Sequence, residues 1–486
     1  MTWEAVIGLE VHAQLLTATK MFCRCRNRFG DPPNTNVCPV CLGLPGSLPV
    51  PNEAALAMAV RTALALGCTV HAASEFSRKN YFYPDLPKNY QISQYDRPLA
   101  TDGVLEFRLD GEVRRVRIRR LHIEEDAGKS LHEGFSDSDR YTYLDFNRCG
   151  APLMEIVSEP DIRSPKEAAA YLRKLRQVLL YLGVCDGNME QGSLRCDANV
   201  SVRRPGDPLP DYKVELKNLN SFKFLQKALE YEIERQVRVL EAGGTLVQET
   251  RLWDERNQRT EVMRTKEEAH DYRYFPDPDL LEVRLDPAWV EDLRRTLPEL
   301  PDRRMDRFMR QYQLPAYDAE LLTANPQVAD YFEAAVQTGA SPKAVANWIL
   351  SELFRYMDFE TGLPPATVPP AHLGQLVRMV QERVITGPVA KEVLGIMLET
   401  GRDPAAIVQE RGWQVTQDEA QIRRWVEEVL QEHPEQVEQY RAGRTKLLGF
   451  FMGQVMRKAG GKADPQRVQA LLQERLQALA STPSDR

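Results

Sequence analysis

Residues 8–15, GLEVHAQL, decide the fold that this sequence predicts. Apolar and polar residues alternate along the stretch, and a period of two is typical of a β-strand with one face on a core. The other face would carry Glu10 and His12, a carboxylate and an imidazole that lie two residues apart. Because an antiparallel sheet often has one wet face, the stretch alone also fits an ordinary exposed surface.

Four further segments repeat this pattern at distant points of the chain. In residues 113–126, VRRVRIRRLHIEED, Val116 and Ile118 would face a core, and an acidic cluster ends the strand. The side chains that would face the other way are those of Arg115, Arg117 and Arg119. That strand would be either a phosphate grip beside a metal site or a salt-bridged edge strand. The other three segments are LMEIVS (153–158), SLRCDANVSVR (193–203) and KVELKNLNS (213–221).

If these strands lie side by side, one surface of a sheet gathers five carboxylates and an imidazole: Glu10, Glu125, Glu155, Asp197, Glu215 and His12. Carboxylates this crowded repel one another and take up protons unless cations lie between them. Hard oxygen ligands suit Mg²⁺, and the imidazole also admits Mn²⁺. The sequence has neither a GxxxxGK[S/T] loop nor a GxGxxG loop, so the pattern favours a metal–ATP site on an open sheet.

Four cysteines follow the first strand as Cys23-Arg-Cys25 and, after a loop rich in Gly, Pro and Asn, Cys38-Pro-Val-Cys41. Two close pairs of thiolates suit a tetrahedral zinc that would staple residues 22–42, a segment with little core of its own. Four free thiols are the alternative. A catalytic zinc is not expected, because four thiolates leave no open coordination position.

An aromatic segment, RKNYFYPDLPKNYQISQY, occupies residues 78–95. Tyr81 and its aromatic neighbours would form a stacking platform for a base or adenine, with Lys79 and Lys88 available for phosphate. A rigid aromatic loop packed on the sheet is an equal alternative. DYRYFPDPD (271–279) echoes NYFYPDLP (80–87), which hints at an internal duplication.

The composition excludes several classes of protein. The 486 residues are 43% hydrophobic and 27% charged, which is the balance of a globular protein with more than one core. The net charge of −7 means that any contact with nucleic acid must come from a local basic patch. We find no signal peptide, no apolar run long enough to cross a membrane and no disulfide framework, and we expect a cytoplasmic protein with reduced thiols and no membrane contact.

The hydrophobic period changes near residue 290 and marks the clearest domain boundary. Before it, strand-like segments alternate with helices that Asn52, Ser164 and Ser221 would cap. After it, amphipathic helical patterns continue to the end. We therefore predict an α+β fold with a mostly antiparallel sheet in residues 1–290, an all-α domain in residues 291–410 and a small helical tail in residues 411–486.

The helical tail is locally basic although the chain as a whole is acidic. Residues 441–475 carry eight Lys or Arg against Asp464 and Glu474. A compact basic module of this kind is typical of a contact with RNA or another polyanion, and a solvated helical bundle is the alternative. The candidate contact residues for such a polyanion are Arg441, Arg444, Lys446, Arg457, Lys458 and Lys462.

Eight motifs, in this order along the chain, closely resemble those of the B subunits of the tRNA-dependent aspartyl/glutamyl amidotransferases. The resemblance runs from about residue 5 to the end and includes the basic tail. Each motif alone is modest, but eight in order are highly specific. They are VIGLEVHAQL, CPVCLGLPGSLP, RKNYFYPDLPKNYQISQYD, LHIEEDAGKS, DFNRCGAPLMEIVSEPDI, EQGSLRCDANVSV, VELKNLNS and DYRYFPDPDL.

The resemblance implies a fold and a reaction. Residues 1–290 would form a glutamine-synthetase-like cradle that uses Mg-ATP to phosphorylate the side-chain carboxylate of Glu on tRNA(Gln) or Asp on tRNA(Asn), after which ammonia yields the amide. It implies one metal site at His12, Glu125 and Glu155 and a second at Glu10, Asp197 and Glu215, and we expect ATP contacts from Lys79, Tyr81 and Arg195. Members of the family differ in whether they keep the cysteines.

Ammonia would have to come from another protein. The sequence shows no serine-rich lysine motif and no cysteine with a paired base, so it offers no amidase centre of its own. The resemblance implies two partners in a heterotrimer, an amidase (the A subunit) and a small bridging protein (the C subunit). The competing hypotheses are a non-catalytic, zinc-stabilised tRNA-binding module and a free-standing glutamine synthetase, which would not need a basic tail.

Overall fold

The stretch GLEVHAQL lies in a long strand, β1, in the middle of a nine-stranded sheet. The structure is a computed structural model that describes residues 3–265, 271–357, 364–416 and 418–481. The strands, in chain order, are β1 (Glu4–Gln14), β2 (Thr69–Val70), β3 (Ala73–Ser74), β4 (Ser77–Asn80), β5 (Tyr90–Ser93), β6 (Ala100–Leu109), β7 (Glu112–Glu125), β8 (Lys129–Leu131), β9 (Tyr143–Asp145), β10 (Pro152–Ser158), β11 (Leu194–Arg203), β12 (Val214–Lys217), β13 (Glu249–Asp254), β14 (Arg259–Thr265), β15 (Phe275–Pro276) and β16 (Val283–Arg284).

The order of strands in the large sheet is β14-β13-β12-β11-β1-β10-β7-β6-β2. Neighbours pair antiparallel except β12 and β13, which are parallel. The five strands that were predicted to carry the acids are therefore consecutive neighbours, and the predicted convergence of these segments is confirmed. Glu10 on β1 lies opposite Asp197 on β11, and His12 on β1 lies opposite Glu155 on β10.

Helices cover one face of this sheet. Four helices precede residue 301: α1 (Glu53–Ala65), α2 (Pro165–Leu182), α3 (Phe222–Glu241) and α4 (Pro287–Arg295). The predicted caps are confirmed, because the side chains of Asn52, Ser164 and Ser221 each accept a hydrogen bond from a backbone N–H of the first helical turn. The buried stripes of α1, α2 and α3 join the apolar side of the strands in one core, which leaves the polar side of the sheet open.

A β-bulge in β7 changes which residues reach that open face. Ile118 pairs with Ser158 and Arg120 pairs with Val157, so Arg119 is an extra residue without a partner on β10. Asp102 on β6 lies between the partners of Arg120 and Ile118 and takes a left-handed conformation with φ of 61°. The bulge places Arg119 and Arg120 on the same side of the sheet and reverses the alternation beyond them.

The reversal corrects the prediction for the end of this strand. Unbroken alternation from Val116 and Ile118 assigns Glu125 to the open face. In the structure Leu121 and Ile123 belong to the core, so His122 and Glu124 lie on the open face and Glu125 lies on the other side. Residues 113–126 contain no glycine or proline that would have indicated the bulge.

The two echoing aromatic segments pair with each other. Strand β15 pairs antiparallel with β4, with Phe275 opposite Arg78, and β4 in turn pairs with β5. Arg78 also forms ion pairs with Asp277 and Asp279, at 2.9 and 2.8 Å. The resulting small three-stranded sheet forms a wall beside the open face of the large one.

The second compact unit begins at Asp302 and is helical, as predicted. Two separate apolar clusters occur in it, one within residues 308–408 and the other within residues 422–476. The division into domains at residues 291–410 and 411–486 remains a prediction. The helices are α5 (Pro301–Gln311), α6 (Ala316–Thr323), α7 (Pro326–Val336), α8 (Pro342–Trp348), α9 (Pro370–Gln381), α10 (Gly387–Thr400), α11 (Pro404–Arg411), α12 (Glu419–Glu432), α13 (Pro434–Arg441), α14 (Leu448–Lys458) and α15 (Pro465–Ser481), with a π-helical turn at Ile349–Leu353 and 3₁₀ turns at Phe354–Tyr356 and Thr445–Leu447. None of the helices described is long and apolar enough to span a membrane.

Candidate active site

A polar cavity of about 360 Å³ lies on the open face of the large sheet. Its floor is made by strands β7, β10, β1, β11 and β12, and residues of β13 and β14 line it as well. Tyr272, Tyr274 and Lys79 form the wall on the side of the small sheet. The cavity holds the carboxylates of Glu10, Glu155, Asp197, Glu215 and Glu249, together with the imidazoles of His12 and His122.

The tightest cluster at the cavity consists of His12 and Glu155, which line it, and Glu124, which is buried beside them. The Nε2 atom of His12 lies 3.4 Å from a carboxylate oxygen of Glu155 and 3.7 Å from one of Glu124. One donor atom from each residue lies within 4.8 Å of the others, so the three could hold a metal ion. A nitrogen and two carboxylate oxygens form a donor set that suits Mn²⁺ and admits Mg²⁺.

His122 contacts the same two glutamates, Glu124 on its own strand β7 and Glu155 on the neighbouring strand β10. Its Nε2 atom lies 3.1 Å from Glu155 and 3.8 Å from Glu124. Burial alone would lower the pKa of His12, but Glu155 and Glu124 raise it to about 9. Burial alone would raise the pKa of Glu124, but His122 and Lys79 lower it to about 2. The cluster therefore holds ionised carboxylates next to positive charge.

The pKa of Glu10, a residue of β1, changes in the opposite direction from that of Glu124. Burial raises its pKa, and the nearby charges of Glu155, Glu215 and Asp197 raise it further. Asn199 donates a hydrogen bond of 2.9 Å to Glu10, but no ion pair of Glu10 occurs among the described residues. This is the repulsion expected of crowded carboxylates that lack a cation.

The second predicted metal site, Glu10 with Asp197 and Glu215, contains a lysine. The Nζ atom of Lys217 lies 2.6 Å from Asp197 and 3.1 Å from Glu215. Its ammonium group occupies the place between two carboxylates that a divalent ion would otherwise take. Thr250 donates a further hydrogen bond of 2.8 Å to Glu215, and the pKa of Glu215 is lowered, against the effect of burial, by Lys217 and Thr250. The structure thus brings these three acids into one cavity but satisfies two of them internally.

Glu125 does not reach the cluster at His12. It is 2% exposed and forms an ion pair with Lys88. Its carboxylate also accepts a hydrogen bond of 3.0 Å from the backbone N–H of Ile92. Burial alone would lower the pKa of Lys88, and Glu125 raises it. Glu125 is thus half of a buried ion pair that ties β7 to the aromatic segment, and Glu124 takes the position expected of Glu125.

The residues expected to contact ATP lie at different depths. Lys79 lines the cavity, with its ammonium group 5.0 Å from the ring centre of Tyr272. Tyr81 lies behind that wall, packs edge-on against Tyr272 and donates a hydrogen bond to Gln91. Arg195 forms an ion pair of 2.6 Å with Asp126, which keeps its guanidinium beside the site rather than in the cavity.

Sequence reasoning missed Glu124, His122, Lys217 and Arg120 as residues of this site. Alternation does place Lys217 on the same strand face as Glu215, but it does not show that the lysine lies between two of the acids. The other three lie beyond or at the bulge, and the strand pattern assigned them to the core. Only the pairing of β7 with β10 reveals their orientation.

The four cysteines come together as predicted. Four Sγ atoms lie within 4.8 Å of one another, those of Cys23, Cys25, Cys38 and Cys41. The fully buried Lys20 places its Nζ atom 3.6 Å from the sulfur of Cys41, and the hydrogen bond from Cys23 lowers the pKa of Cys41 to about 4. Four clustered thiols beside a buried cation could hold a metal ion.

Many of the cations of the tail are neutralised by helix α12. Lys458 pairs with Glu428 and Glu432, Arg467 with Glu419, and Arg475 with Glu427. Arg441 pairs with Glu438 on α13. Of the predicted RNA contacts, Arg444 donates only to the neutral Gln439, and Lys446, Arg457 and Lys462 form no ion pair in the described part of the chain.

Comparisons with known proteins match almost the whole chain. A family model described as "GatB/GatE catalytic domain" matches residues 5–291, and one described as "GatB domain" matches residues 330–476. The chain is 54% identical over 479 residues to the B subunit of the aspartyl/glutamyl-tRNA(Asn/Gln) amidotransferase of Persephonella marina, covering 98% of this chain and 100% of that protein. Proteins of the same name are similar in Thermodesulfovibrio yellowstonii, 53% identical with 97% and 99% coverage, and Moorella thermoacetica, 54% identical with 98% and 100% coverage.

The orientation of β7 predicts different consequences for two neighbouring glutamates. Replacing Glu124 by Gln removes a ligand from the cluster with His12, so Mn²⁺ affinity should fall at least about tenfold. Replacing Glu125 by Gln should leave that affinity unchanged but lower the melting temperature, because Lys88 loses its buried partner at a cost of about 3–5 kcal/mol. Mn²⁺ titration followed by electron paramagnetic resonance, with thermal unfolding of the same samples, measures both. Reduced Mn²⁺ affinity in the Glu125 variant alone would contradict this placement.

Proposed function

Because the chain belongs to the GatB family, we propose that it is the subunit of a tRNA-dependent amidotransferase that activates the amino acid on tRNA. In this reaction ATP phosphorylates the side-chain carboxylate of Glu on tRNA(Gln), of Asp on tRNA(Asn), or of both. Ammonia then displaces the phosphate and leaves Gln-tRNA(Gln) or Asn-tRNA(Asn). The enzyme would be a cytoplasmic ligase that forms a C–N bond with glutamine as amido donor.

One observation carries this proposal: four adjacent strands bring Glu10, Glu155, Asp197 and Glu215 into a single cavity that cationic side chains also line. Phosphoryl transfer to a carboxylate brings two anions together and requires little covalent help from the protein. It requires positioned charges that hold both anions and screen them from each other. The cavity on the open sheet face meets that requirement, because its carboxylates can bind metal cations and its cationic side chains can bind phosphates.

Divalent ions fit part of this cavity better than the rest. His12, Glu124 and Glu155 would hold one Mg²⁺ or Mn²⁺, since their donor atoms already lie within reach of one ion. Glu10, Asp197 and Glu215 would hold a second ion only after the ammonium of Lys217 leaves its place between Asp197 and Glu215. When bound, such ions neutralise charge on the phosphates during transfer.

The remaining residues of the cavity have separable tasks. Lys79 and Lys213 line it and form no ion pair among the described residues, so they are available to phosphate oxygens. Tyr272 and Tyr274 offer aromatic surface at the wall, where Tyr95 stacks on Tyr274 with ring centres 4.1 Å apart. We propose that ATP phosphates meet the lysines and that a base of the ligand stacks on this wall.

A non-catalytic tRNA-binding module is the competing function. In that case the polar strand faces would be ordinary wet surface. Glu124 and Glu155 are instead buried, at 2% and 6% exposure, and held ionised by two histidines. Buried ionised groups that converge in a cavity are typical of a functional site.

The transamidation reaction itself tests the proposal. The assay uses the complex assembled with the two proposed partners, the amidase and the small bridging protein. Asp197→Asn should lower aminoacyl-tRNA-dependent ATP hydrolysis at least about 100-fold in that complex. Its affinity for tRNA should change less than twofold. Glu261→Gln is a matched control, because Glu261 lies on the same sheet but pairs with exposed Arg259 outside the cavity.

Both Glu-tRNA(Gln) and Asp-tRNA(Asn) should be assayed, because the relative rates identify the substrate. Wild-type protein that binds tRNA but hydrolyses no ATP with either substrate would favour the tRNA-binding module. Full activity in the Asp197 variant would exclude the carboxylate cavity as the reaction centre.

We further propose that the cysteine cluster holds a structural zinc ion. Four sulfurs in reach of one another and the positive charge of buried Lys20 support this, because four thiolates around one zinc leave a net negative charge. The ion would fix residues 22–42, which contain turns and irregular segments but no helix.

Removal of zinc should therefore loosen this segment and little else. Cys38→Ser should lower the zinc content of the purified protein to well below one per chain and speed backbone hydrogen exchange in residues 22–42. Cys185→Ser is the matched control, since Cys185 is buried but lies outside the cluster. Unchanged zinc content in the Cys38 variant would contradict the assignment.

The tail is proposed to contact tRNA through its unpaired cations. Replacing Lys446, Arg457 and Lys462 together by Ala should weaken tRNA binding and flatten its salt dependence by about 0.7–0.9 in log–log slope for each phosphate that is no longer neutralised. Replacing Arg467 and Arg475, which pair with glutamates of α12, should change the slope much less. Equal effects of the two sets, measured by filter binding over a series of salt concentrations, would show that ion pairing does not select the contacts.

A further inference from the structure

The arginines of β7 fall into two groups. Four of them have a carboxylate partner: Arg114 pairs with Glu112 at 2.8 Å, Arg115 with Glu106 at 2.6 Å, Arg117 with Asp161 at 2.7 Å and Arg119 with Glu159 at 3.0 Å. The sequence offered a salt-bridged edge strand as one of its two alternatives. The salt bridges are present, but β7 lies between β10 and β6 and is not an edge strand. Arg120 has no such partner in the described part of the chain.

The bulge gives Arg120 its different surroundings. The extra residue, Arg119, turns Arg120 toward the cavity, where it lies on the same strand face as His122. Its guanidinium lies 5.9 Å from the ring centre of Tyr95, and its Nε–H is buried without a hydrogen-bond acceptor among the described residues. Arg120 therefore brings to the cavity a buried donor that no described residue satisfies.

A buried guanidinium N–H without an acceptor costs free energy until a ligand accepts its hydrogen bond. Arginine stays charged at all working pH values, so burial cannot remove the charge by deprotonation. The cavity does satisfy other cations, since Lys217 pairs with Asp197 and Glu215, and Arg264 approaches Glu215 at 3.8 Å. Arg120 stands apart from them on the side of Glu155, where a bound anion would complete its hydrogen bonds.

We propose that Arg120 binds the phosphoryl group that passes from ATP to the side-chain carboxylate of the aminoacyl-tRNA. This inference rests on the proposed function. In the step, a carboxylate oxygen forms a bond to the γ-phosphorus while the bond from that phosphorus to the β–γ bridging oxygen breaks, and ADP leaves with the electron pair. Arg120 keeps its proton throughout and donates N–H groups to the oxygens of the transferred group. The planar fork of a guanidinium matches two oxygens of a phosphoryl group, whereas a lysine offers only a point charge.

A second source could present the same chemistry. A phosphodiester of the tRNA acceptor end also offers paired oxygens to a guanidinium. The two sources differ in what the loss of Arg120 changes: a partner of the transferred group contributes to kcat, and a partner of the tRNA backbone contributes to KM for aminoacyl-tRNA.

The test uses Arg120→Lys and Arg120→Ala in the assembled complex, with Arg119→Ala as the matched control. Arg119 is adjacent, but its charge is paired with Glu159 outside the cavity. For both Arg120 variants, kcat of aminoacyl-tRNA-dependent ATP hydrolysis should fall about 10²- to 10³-fold, with KM for aminoacyl-tRNA within twofold of wild type. Millimolar guanidinium chloride should restore part of the activity of Arg120→Ala and none of any deficit in Arg119→Ala.

A binding measurement separates this role from a structural one. Mg-ADP with aluminium fluoride mimics the transferred phosphoryl group, and wild type should bind it more tightly than Mg-ADP alone. Arg120→Lys should lose that difference while keeping its affinity for Mg-ADP and its melting temperature. Kinetics of Arg120→Ala equal to those of Arg119→Ala, or a raised KM for aminoacyl-tRNA at unchanged kcat, would overturn the inference. Failure of the proposed function would look different, because wild type itself would then show no aminoacyl-tRNA-dependent hydrolysis.

Discussion

The crowding of carboxylates on one face of the large sheet is the constraint on which the rest of the site depends. Like charges this close cannot all be ionised without cations between them. The protein supplies its own cations in two ways: His12 and His122 surround Glu124 and Glu155, and Lys217 lies between Asp197 and Glu215. Glu10 receives neither, and its raised pKa shows what happens to an acid that is left without one.

The bulge in β7 determines which side chains meet this constraint. One extra residue reverses the faces of everything beyond it, so His122 lines the cavity and Glu124 joins the cluster with His12, while Glu125 pairs with Lys88 on the other side. The bulge also directs Arg120 toward the cavity, whereas Arg119 pairs with Glu159 outside it. A local irregularity in backbone pairing thus sets the orientation of five ionisable side chains, and bulges beside active sites commonly act in this way.

Much of this architecture could be predicted from the sequence, because it depends on local signals. Alternation identified the strands, cap residues identified the starts of α1, α2 and α3, and spacing identified the cysteine cluster. The exchange of Glu124 for Glu125 could not be predicted, because it depends on the pairing of β7 with β10, a strand that is distant in sequence. The ion pairs of the tail could not be predicted for the same reason. The glutamates that pair with Lys458 and Arg467 precede residue 441, at which the basic segment begins.

The contrast between paired and unpaired cations connects these observations. A cation that already binds a carboxylate fixes the geometry of the resting site and has little charge left for a ligand. A buried cation without an acidic partner costs free energy in the resting protein, and a bound anion removes that cost. Arg120 in the cavity is of this kind. Lys446 and Arg457 in the tail are exposed, and their charge is available to an anion because no described carboxylate pairs with them. Ion pairing, rather than the number of positive residues in a segment, therefore indicates where this acidic protein can meet phosphate.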